Sequence, residues 1–502
     1  MAPMPHQHGD VSVTGVTHSS HSVLPGDLYS ALPGANHHGA QFATQAAAAG
    51  AVAILTDPAG AERSAAALLP VLVVDDPRAV LGIVASMVYG QPTRQLTVVG
   101  ITGTAGKTST VHLIEAGLRA AGRVTGLIGT VETRLGDLVI DSARTTPEAT
   151  DLHALLAVAL EHGVEAVAME VSSHALQLGR VGGVEFAVGG FTNLGLDHLD
   201  FHADVAEYFA AKARLFDGRC GVEIVNLDDP AGRRLIKPAT VTYSAAGDGA
   251  ASWRATDIRA VGYGQAFLAH GPAGIAVESG VRLPGRHNVA NALLAIASLV
   301  AVGLDPAVAA KAVAEAGGAP GRMERVVGSK VERAKPGARP SVASAGSGAA
   351  SEDSRVLGIV DYAHKPDAIV EVLAALRALE GGGRVICVLG AGGDRDKGKR
   401  ALMGAAAAAG ADLVIITDDN PRTEDPAAIR AQLISGTTGG TAEVVEVDGR
   451  RAAIAEAVRR AEPGDVIAVL GKGHERGQEI NGQTHPFDDR VELAAALRGG
   501  TR

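Results

Sequence analysis

The sequence predicts an α/β fold built on parallel sheets. Three observations predict it. Short, β-branched apolar runs recur at Leu96–Ile101, Val164–Met169, Glu223–Val225, Val385–Leu389, Leu413–Thr417 and Val466–Leu470. Turn residues or helix-like periodicity follow each of them, as expected of strands buried on both faces. A glycine-rich turn follows the first run and opens a helix.

The chain has 502 residues, enough for several domains of roughly 100–200 residues each. Three divisions are expected: a small α/β unit over 1–94, a nucleotide-binding unit over 95–327, and a third α/β unit over 356–502. Between the last two lies 328–355. Its Lys335–Asp353 stretch is rich in Gly, Pro, Ala and Ser, so it reads as a flexible linker or insertion.

Composition narrows the function classes. Lys plus Arg is 45 and Asp plus Glu is 55, a net charge of −10. That argues against a nucleic acid or an anionic membrane as the main partner. Aromatic residues make up 3%, too few for a base-stacking platform. Two cysteines, Cys220 and Cys387, cannot build a disulfide framework or a four-thiolate metal site. The first residues lack a basic region leading into an apolar one, and no apolar run reaches about 18 residues. A cytoplasmic location is the expectation.

The motifs follow in chain order. In Leu96-Thr-Val-Val-Gly-Ile-Thr-Gly-Thr-Ala-Gly-Lys-Thr-Ser109, a strand enters a turn and then a helix from Lys107 to Ala121, stopped by Gly122. Gly103 and Gly106 let backbone N–H groups approach phosphates. Lys107 can reach the outer phosphates, and the Thr108 hydroxyl suits Mg²⁺. Glu170 ends the apolar run of Val167-Ala-Met-Glu170, where a carboxylate can hold Mg²⁺ opposite a phosphate loop. Asp197, His198, Asp200 and His202 form a segment dense in metal-capable groups. From Val205 to Phe216, the residues Val205, Tyr208, Phe209, Leu215 and Phe216 form one helical face, and Lys212 falls on it. Two readings stay open for Lys212: a stem that snorkels to water, or a buried amine able to take up CO₂ as a carbamate.

Three polar turns follow strands of the last unit: Gly390–Arg400, Thr417–Arg422 and Gly471–Glu475. The first lacks the third glycine of a dinucleotide fingerprint. Loops at the carboxyl ends of strands in one sheet converge on one crevice. Arg395, Arg422, Asp419, Asn420 and Glu475 then supply cations for a carboxylate and acceptors for an ammonium, a recognition set for an amino acid.

Together, Thr102-Gly-Thr-Ala-Gly-Lys-Thr108, Glu170-Val-Ser-Ser-His174, Asn193-Leu-Gly-Leu-Asp-His-Leu-Asp200, Lys212, Leu283-Pro-Gly-Arg-His-Asn-Val-Ala-Asn291 and Asp361-Tyr-Ala-His364 resemble the Mur ligases. The resemblance covers nearly the whole chain. It implies a three-domain architecture: a UDP-sugar-binding domain, a central P-loop ATPase domain, and a carboxyl-terminal Rossmann-like domain for an amino acid. It implies ATP and Mg²⁺, with the phosphate loop at Gly103, Thr104, Ala105, Gly106, Lys107, Thr108 and Ser109. Asn288, Asp361 and His364 would lie near the nucleotide. Ser20, Ala35, Asn36 and His37 would meet the UDP-sugar. Thr145, Thr146, Ser172 and Arg180 would follow the muramoyl dipeptide. Thr108, Glu170, His198 and a carbamylated Lys212 would serve the metals, and Lys107, Lys212, His198 and Glu170 the chemistry.

Asp419-Asn-Pro-Arg422 looks like the signature of members that add meso-2,6-diaminopimelate, with Pro421 in the turn and Gly471 and Glu475 beside it. The implied reaction joins that amino acid to UDP-N-acetylmuramoyl-L-alanyl-D-glutamate through an acyl phosphate, in peptidoglycan precursor synthesis. A monomer is expected. The sequence departs from the family pattern at Ser19-Ser20-His21, Ala105 and Leu178. The rival readings are a lysine-adding or folate-type ligase of the same superfamily, and a non-catalytic nucleotide-binding regulator.

Overall fold

The computed structural model describes residues 11–34, 36–327, 356–379 and 383–499. Ala35 and the 328–355 stretch lie outside them. The chain divides into two compact units. One comprises residues 1–244, 250–252 and 294–309. The other comprises residues 245–249, 253–293 and 310–502.

In the first unit, Gly15–Thr17, Asp27–Ser30, Ala53–Thr56 and Val71–Val73 form a parallel sheet in sequential order. Val16, Leu28 and Leu55 pack on Leu81 and Ala85 of the helix Pro77–Val88. That helix has proline at its first position, and the Asp76 side chain caps Arg78 N and Ala79 N.

The same unit holds a second run of strands. Its order is Val241–Ser244, Cys220–Asn226, Phe186–Phe191, Thr97–Thr102, Ala166–Glu170, Thr125–Ile128, Thr133–Leu135 and Leu138–Ile140. The last two pair antiparallel and the others parallel. The β-branched Thr97–Thr102 strand is central, flanked by Ala166–Glu170 and Phe186–Phe191. Ile101 lies opposite Glu170, and Thr102 opposite Phe191. This register brings three carboxyl ends level with the turn after Thr102, the place where open α/β sheets bind ligands.

In the second unit, Trp253–Val261, Gly264–His270 and Ala276–Val281 make antiparallel pairs. A six-stranded sheet follows the order Glu324–Val326, Leu357–Asp361, Val466–Leu470, Val385–Leu389, Leu413–Ile416 and Glu443–Glu446. It is parallel except for the first strand. Three polar turns therefore leave the same edge, after Leu389, Ile416 and Leu470.

The six strands expected from sequence are present, with ends shifted by up to three residues. The antiparallel ribbon over 253–281 departs from an all-parallel expectation. Its first two strands turn at Gly262, which sits at φ 56°; the first alternates buried with half-buried positions at its start and half-buried with exposed ones after Thr256. The helix Val205–Ala213 runs into a 3-10 turn at Arg214–Phe216. Val205 is exposed, so the buried face begins at Tyr208 and not at Val205. A first-turn residue lies outside the packed stripe. Among the described residues, no helix is long and apolar enough to cross a membrane.

Candidate active site

The loop after Thr97–Thr102 is shaped by its glycines. Gly103 has φ 148°, and a Cβ there would lie 1.8 Å from Thr192 Oγ1. Gly106 has φ 86° and sits at the N-cap of the helix Lys107–Ala120. The first-turn N–H groups of that helix have no intrahelical acceptor and favour an anion. Lys107 Nζ donates to Gly103 O at 2.8 Å and Thr104 O at 3.1 Å, which folds the amine over the loop. Ala105 N donates to Asn193 Oδ1 at 2.9 Å. Thr108 and Ser109 are buried in the first turn.

Glu170 is the hub. Its carboxylate is 1% exposed and accepts from Thr108 Oγ1 at 3.1 Å, Thr130 N at 2.8 Å and Thr130 Oγ1 at 3.2 Å. Thr130 Oγ1 also lies 3.0 Å from Thr145 Oγ1. Thr146 Oγ1 donates to Glu170 O at 2.8 Å and accepts from Ser172 N at 3.1 Å. Arg180 Nη1 donates to Thr146 O at 3.3 Å, while its Nη2 pairs with Glu148 at 2.8 Å. The phosphate-loop threonine and the four residues expected along a dipeptide therefore form one hydrogen-bonded network. Thr130 was missed from sequence because a threonine after a strand carries no distinctive signal.

Lys212 is 1% exposed, so its head does not snorkel to water. Nζ donates to Gly103 O at 2.8 Å and lies 4.3 Å from the centroid of the Tyr208 ring. Tyr208 in turn bonds Thr104 Oγ1 through its hydroxyl at 3.1 Å. His198 adopts φ 52° and pairs with Asp197 at 3.0 Å. Its ring is edge-on to His174, 4.7 Å between centroids. The metal-dense segment does not act as one cage. Among the described residues, no three His, Cys, Asp or Glu side chains gather to hold a metal. His202 is buried, with Nε2 3.1 Å from Ser173 Oγ. The oxygen donors of Thr108 and Glu170 still fit Mg²⁺, which takes hard oxygen ligands and shares them with phosphates.

Near the amino terminus, a cavity of about 350 Å³ is lined by residues including Ser20, His37, Tyr29, Phe42 and Arg78. Ser20 is buried and Asn36 exposed. Ala35 lies outside the described residues.

In the second unit, the three polar turns meet. Asn420 Nδ2 donates to Glu475 Oε2 at 2.9 Å, and Gly393 N to Asn420 O at 2.8 Å. Arg422 bonds Glu479 through Nε at 2.9 Å and Gly393 O through Nη1 at 2.6 Å. Gly471, at φ 117°, lies beside Asp419. Arg395 is exposed at the rim. The fully buried Arg400 clamps its loop through Glu424 and Gly392 O. Lys472 was missed from sequence, although it lies between Gly471 and Glu475. A lysine in a polar turn reads as solvated, yet this one is 0% exposed.

Elsewhere in this unit, Asn288 bonds Pro284 O and Asn291. Asp361 accepts from Met323 N and Ala363 N, each at 2.7 Å, and burial pushes its carboxyl pKa up. Burial drives His364 and His287 down to about 4. A histidine lowered in the fold leaves stability intact above its unfolded pKa of about 6.5 and costs stability as pH falls toward the folded value. Unfolding should therefore become easier between pH about 6.5 and 4, by on the order of 3 kcal/mol per histidine. Thermal melts across that range check this, and His364→Gln should flatten the slope.

Family models match this arrangement. The Mur ligase family catalytic domain matches residues 12–89, the Mur ligase middle domain 101–299, and the Mur ligase glutamate ligase domain 349–473. The sequence is 52% identical over 498 residues to UDP-N-acetylmuramoyl-L-alanyl-D-glutamate--2,6-diaminopimelate ligase of Streptomyces coelicolor, covering 98% of this chain and 93% of that one. The chain belongs to the Mur ligase family.

A ligase of the same name from Corynebacterium glutamicum is 44% identical, over 98% of this Mur ligase and 93% of the relative. A solved structure titled as that ligase superposes with a TM-score of 0.67 at 31% identity, covering 98% of this chain and 96% of that chain. The three-domain Mur ligase architecture, with α/β sheets throughout, is thus established. In this Mur ligase, Lys212→Ala should lower turnover by about a hundredfold or more, the scale on which removing one charge-stabilising group acts. Added acetate should restore part of it by standing in for a carbamate. A bare amine found by mass analysis of the active enzyme would sink the carbamate assignment.

Proposed function

We propose that this Mur ligase uses ATP to add meso-2,6-diaminopimelate to the D-glutamate of UDP-N-acetylmuramoyl-L-alanyl-D-glutamate. The observation that carries the proposal is the network through Glu170, which joins a phosphate loop to Thr145, Thr146, Ser172 and Arg180. The names of the relatives support the substrate pair. Residues 1–94 would bind the UDP-sugar, 95–327 the nucleotide, and 356–502 the amino acid, in the cytoplasm.

A carboxylate is a poor acyl donor, because oxide is a poor leaving group. Transfer of the γ-phosphoryl group to the D-glutamate carboxylate makes an acyl phosphate. Lys107 spreads its charge over the outer phosphates as they move. Thr108 and Glu170 would hold Mg²⁺, and His198 would hold a second ion with a carbamylated Lys212 ordering its surroundings. When bound, the metal would neutralise charge where carboxylate and triphosphate approach. Arg180 and the threonines fix the dipeptide, so that its carboxylate reaches a near-attack geometry. Arg395, Asn420, Arg422 and Glu475 hold the far end of diaminopimelate. Its other amine attacks the acyl carbon, and phosphate leaves.

Phosphate release from the purified protein tests this. It should require the UDP-dipeptide and meso-diaminopimelate together, with L-lysine a poor replacement. Equal rates with both amino acids would remove the substrate assignment. Rates independent of any amino acid would remove the ligase assignment.

A further inference from the structure

Lys472 has no part in the reaction described above, yet it is among the largest fully buried side chains of the protein. Its ammonium carries three N–H groups, and three acceptors surround it. They are Asn420 Oδ1 at 3.0 Å, Glu475 Oε2 at 3.1 Å and Asp419 Oδ1 at 3.4 Å. With every proton committed, Lys472 has no donor left for a ligand.

Its effect falls on its neighbours. Asn420 Oδ1 accepts from Lys472 and also from Glu479 N at 3.0 Å, while Asn420 Nδ2 donates to Glu475 Oε2 at 2.9 Å. Flipping that amide would set an NH₂ group against an ammonium and an N–H. Only one orientation is therefore compatible with the network. One N–H of Asn420 remains for a ligand. Glu475 Oε2 is engaged twice, by Lys472 and by Asn420, and Oε1 remains on a side chain that is 35% exposed. The cluster offers one donor and one carboxylate acceptor side by side. That matches the carboxylate and ammonium of an amino-acid end.

Fastening the loops is a different task, and another residue performs it. Arg450 is wholly buried, pairs with Asp489, and donates to Leu470 O at 2.9 Å and Asp418 O at 3.3 Å. It holds the backbone of the same two turns. Lys472 bonds side chains alone.

We propose that Lys472 is a positioning residue for the amino-acid substrate, aiming Asn420 and Glu475 without itself touching the ligand. The inference rests on the assignment of these loops to the amino acid. Steady-state kinetics of the full-length enzyme with ATP, UDP-dipeptide and meso-diaminopimelate test it. Lys472→Met should raise KM for diaminopimelate about tenfold or more, with kcat at saturation falling less than KM rises. KM for ATP and for the UDP-dipeptide should stay within about twofold. In a double-mutant cycle, adding Lys472→Met to Asn420→Ala should cost less than about threefold further, because one of the two side chains it aims is already gone and only Glu475 is left to misplace.

Lys472→Gln keeps part of the hydrogen bonding and serves if the methionine variant does not fold. An unchanged KM for diaminopimelate overturns the proposal, as do fully additive effects in the cycle. Loss of the fold in both variants also overturns it, since Lys472 would then be supporting the domain. Wild-type enzyme that ignores diaminopimelate defeats the substrate assignment itself, and that result is visible before any variant is made.

Discussion

Lys107→Ala is expected to lower turnover by about a thousandfold or more, the scale on which charge-stabilising groups act in phosphoryl transfer. The amine already sits over the loop, bonded to Gly103 O and Thr104 O, so little motion is needed to meet an outer phosphate. The fold should survive, since the side chain is only half-buried and bonds the carbonyls of its own loop. Turnover and a thermal melt on the same preparation check both halves. A folded variant with near-normal activity would falsify the phosphate-loop assignment.

Arg422 should govern the choice of amino acid. Diaminopimelate differs from lysine by one carboxylate at the far end, and a guanidinium can meet it with two parallel hydrogen bonds. Charged hydrogen bonds are worth about 1.5–3 kcal/mol each, so a preference of roughly 100-fold in kcat/KM is expected. Arg422→Ala should erase most of it by raising KM for diaminopimelate, with KM for ATP unchanged. Arg422→Lys should fare almost as badly, because a point charge does not reproduce the planar fork. In the structure, Arg422 Nε is paired with Glu479. Glu479→Gln should consequently change the affinity for diaminopimelate as well. A wild-type enzyme that accepts both amino acids, or an alanine variant that keeps the preference, counts against this assignment.

Much of this was legible in the sequence, for physical reasons. Val385–Leu389 and Val466–Leu470 are continuous apolar runs. Strands buried on both faces look like that, and both match the structure end to end. Lys107 and Thr108 were legible because a strand, two glycines and a helix start leave little else for the segment to be. The hairpin from Trp253 was not legible. Its alternation is diluted by Arg254, Asp257 and Arg259 on a ribbon that is mostly half-buried. Thr130 and Lys472 stayed hidden for the opposite reason. Their meaning comes from partners 40 and 52 residues away, Glu170 and Asn420, and no local pattern encodes those distances. Lys212 stood between. Its helical position made burial plausible, but only its buried contact with Gly103, 109 residues away, rules out the snorkelling reading.

The carboxylate of Glu170 is shared property. One edge of it leans on Thr108 in the phosphate loop, and both oxygens reach Thr130, which passes the contact to Thr145. A group so fully subscribed cannot turn toward one claimant without loosening its hold on the other. Thermodynamic linkage then demands symmetry: whatever factor the nucleotide adds to dipeptide affinity, the dipeptide must return to the nucleotide. A Thr130→Val substitution would cut the thread between them and bring both factors toward unity together.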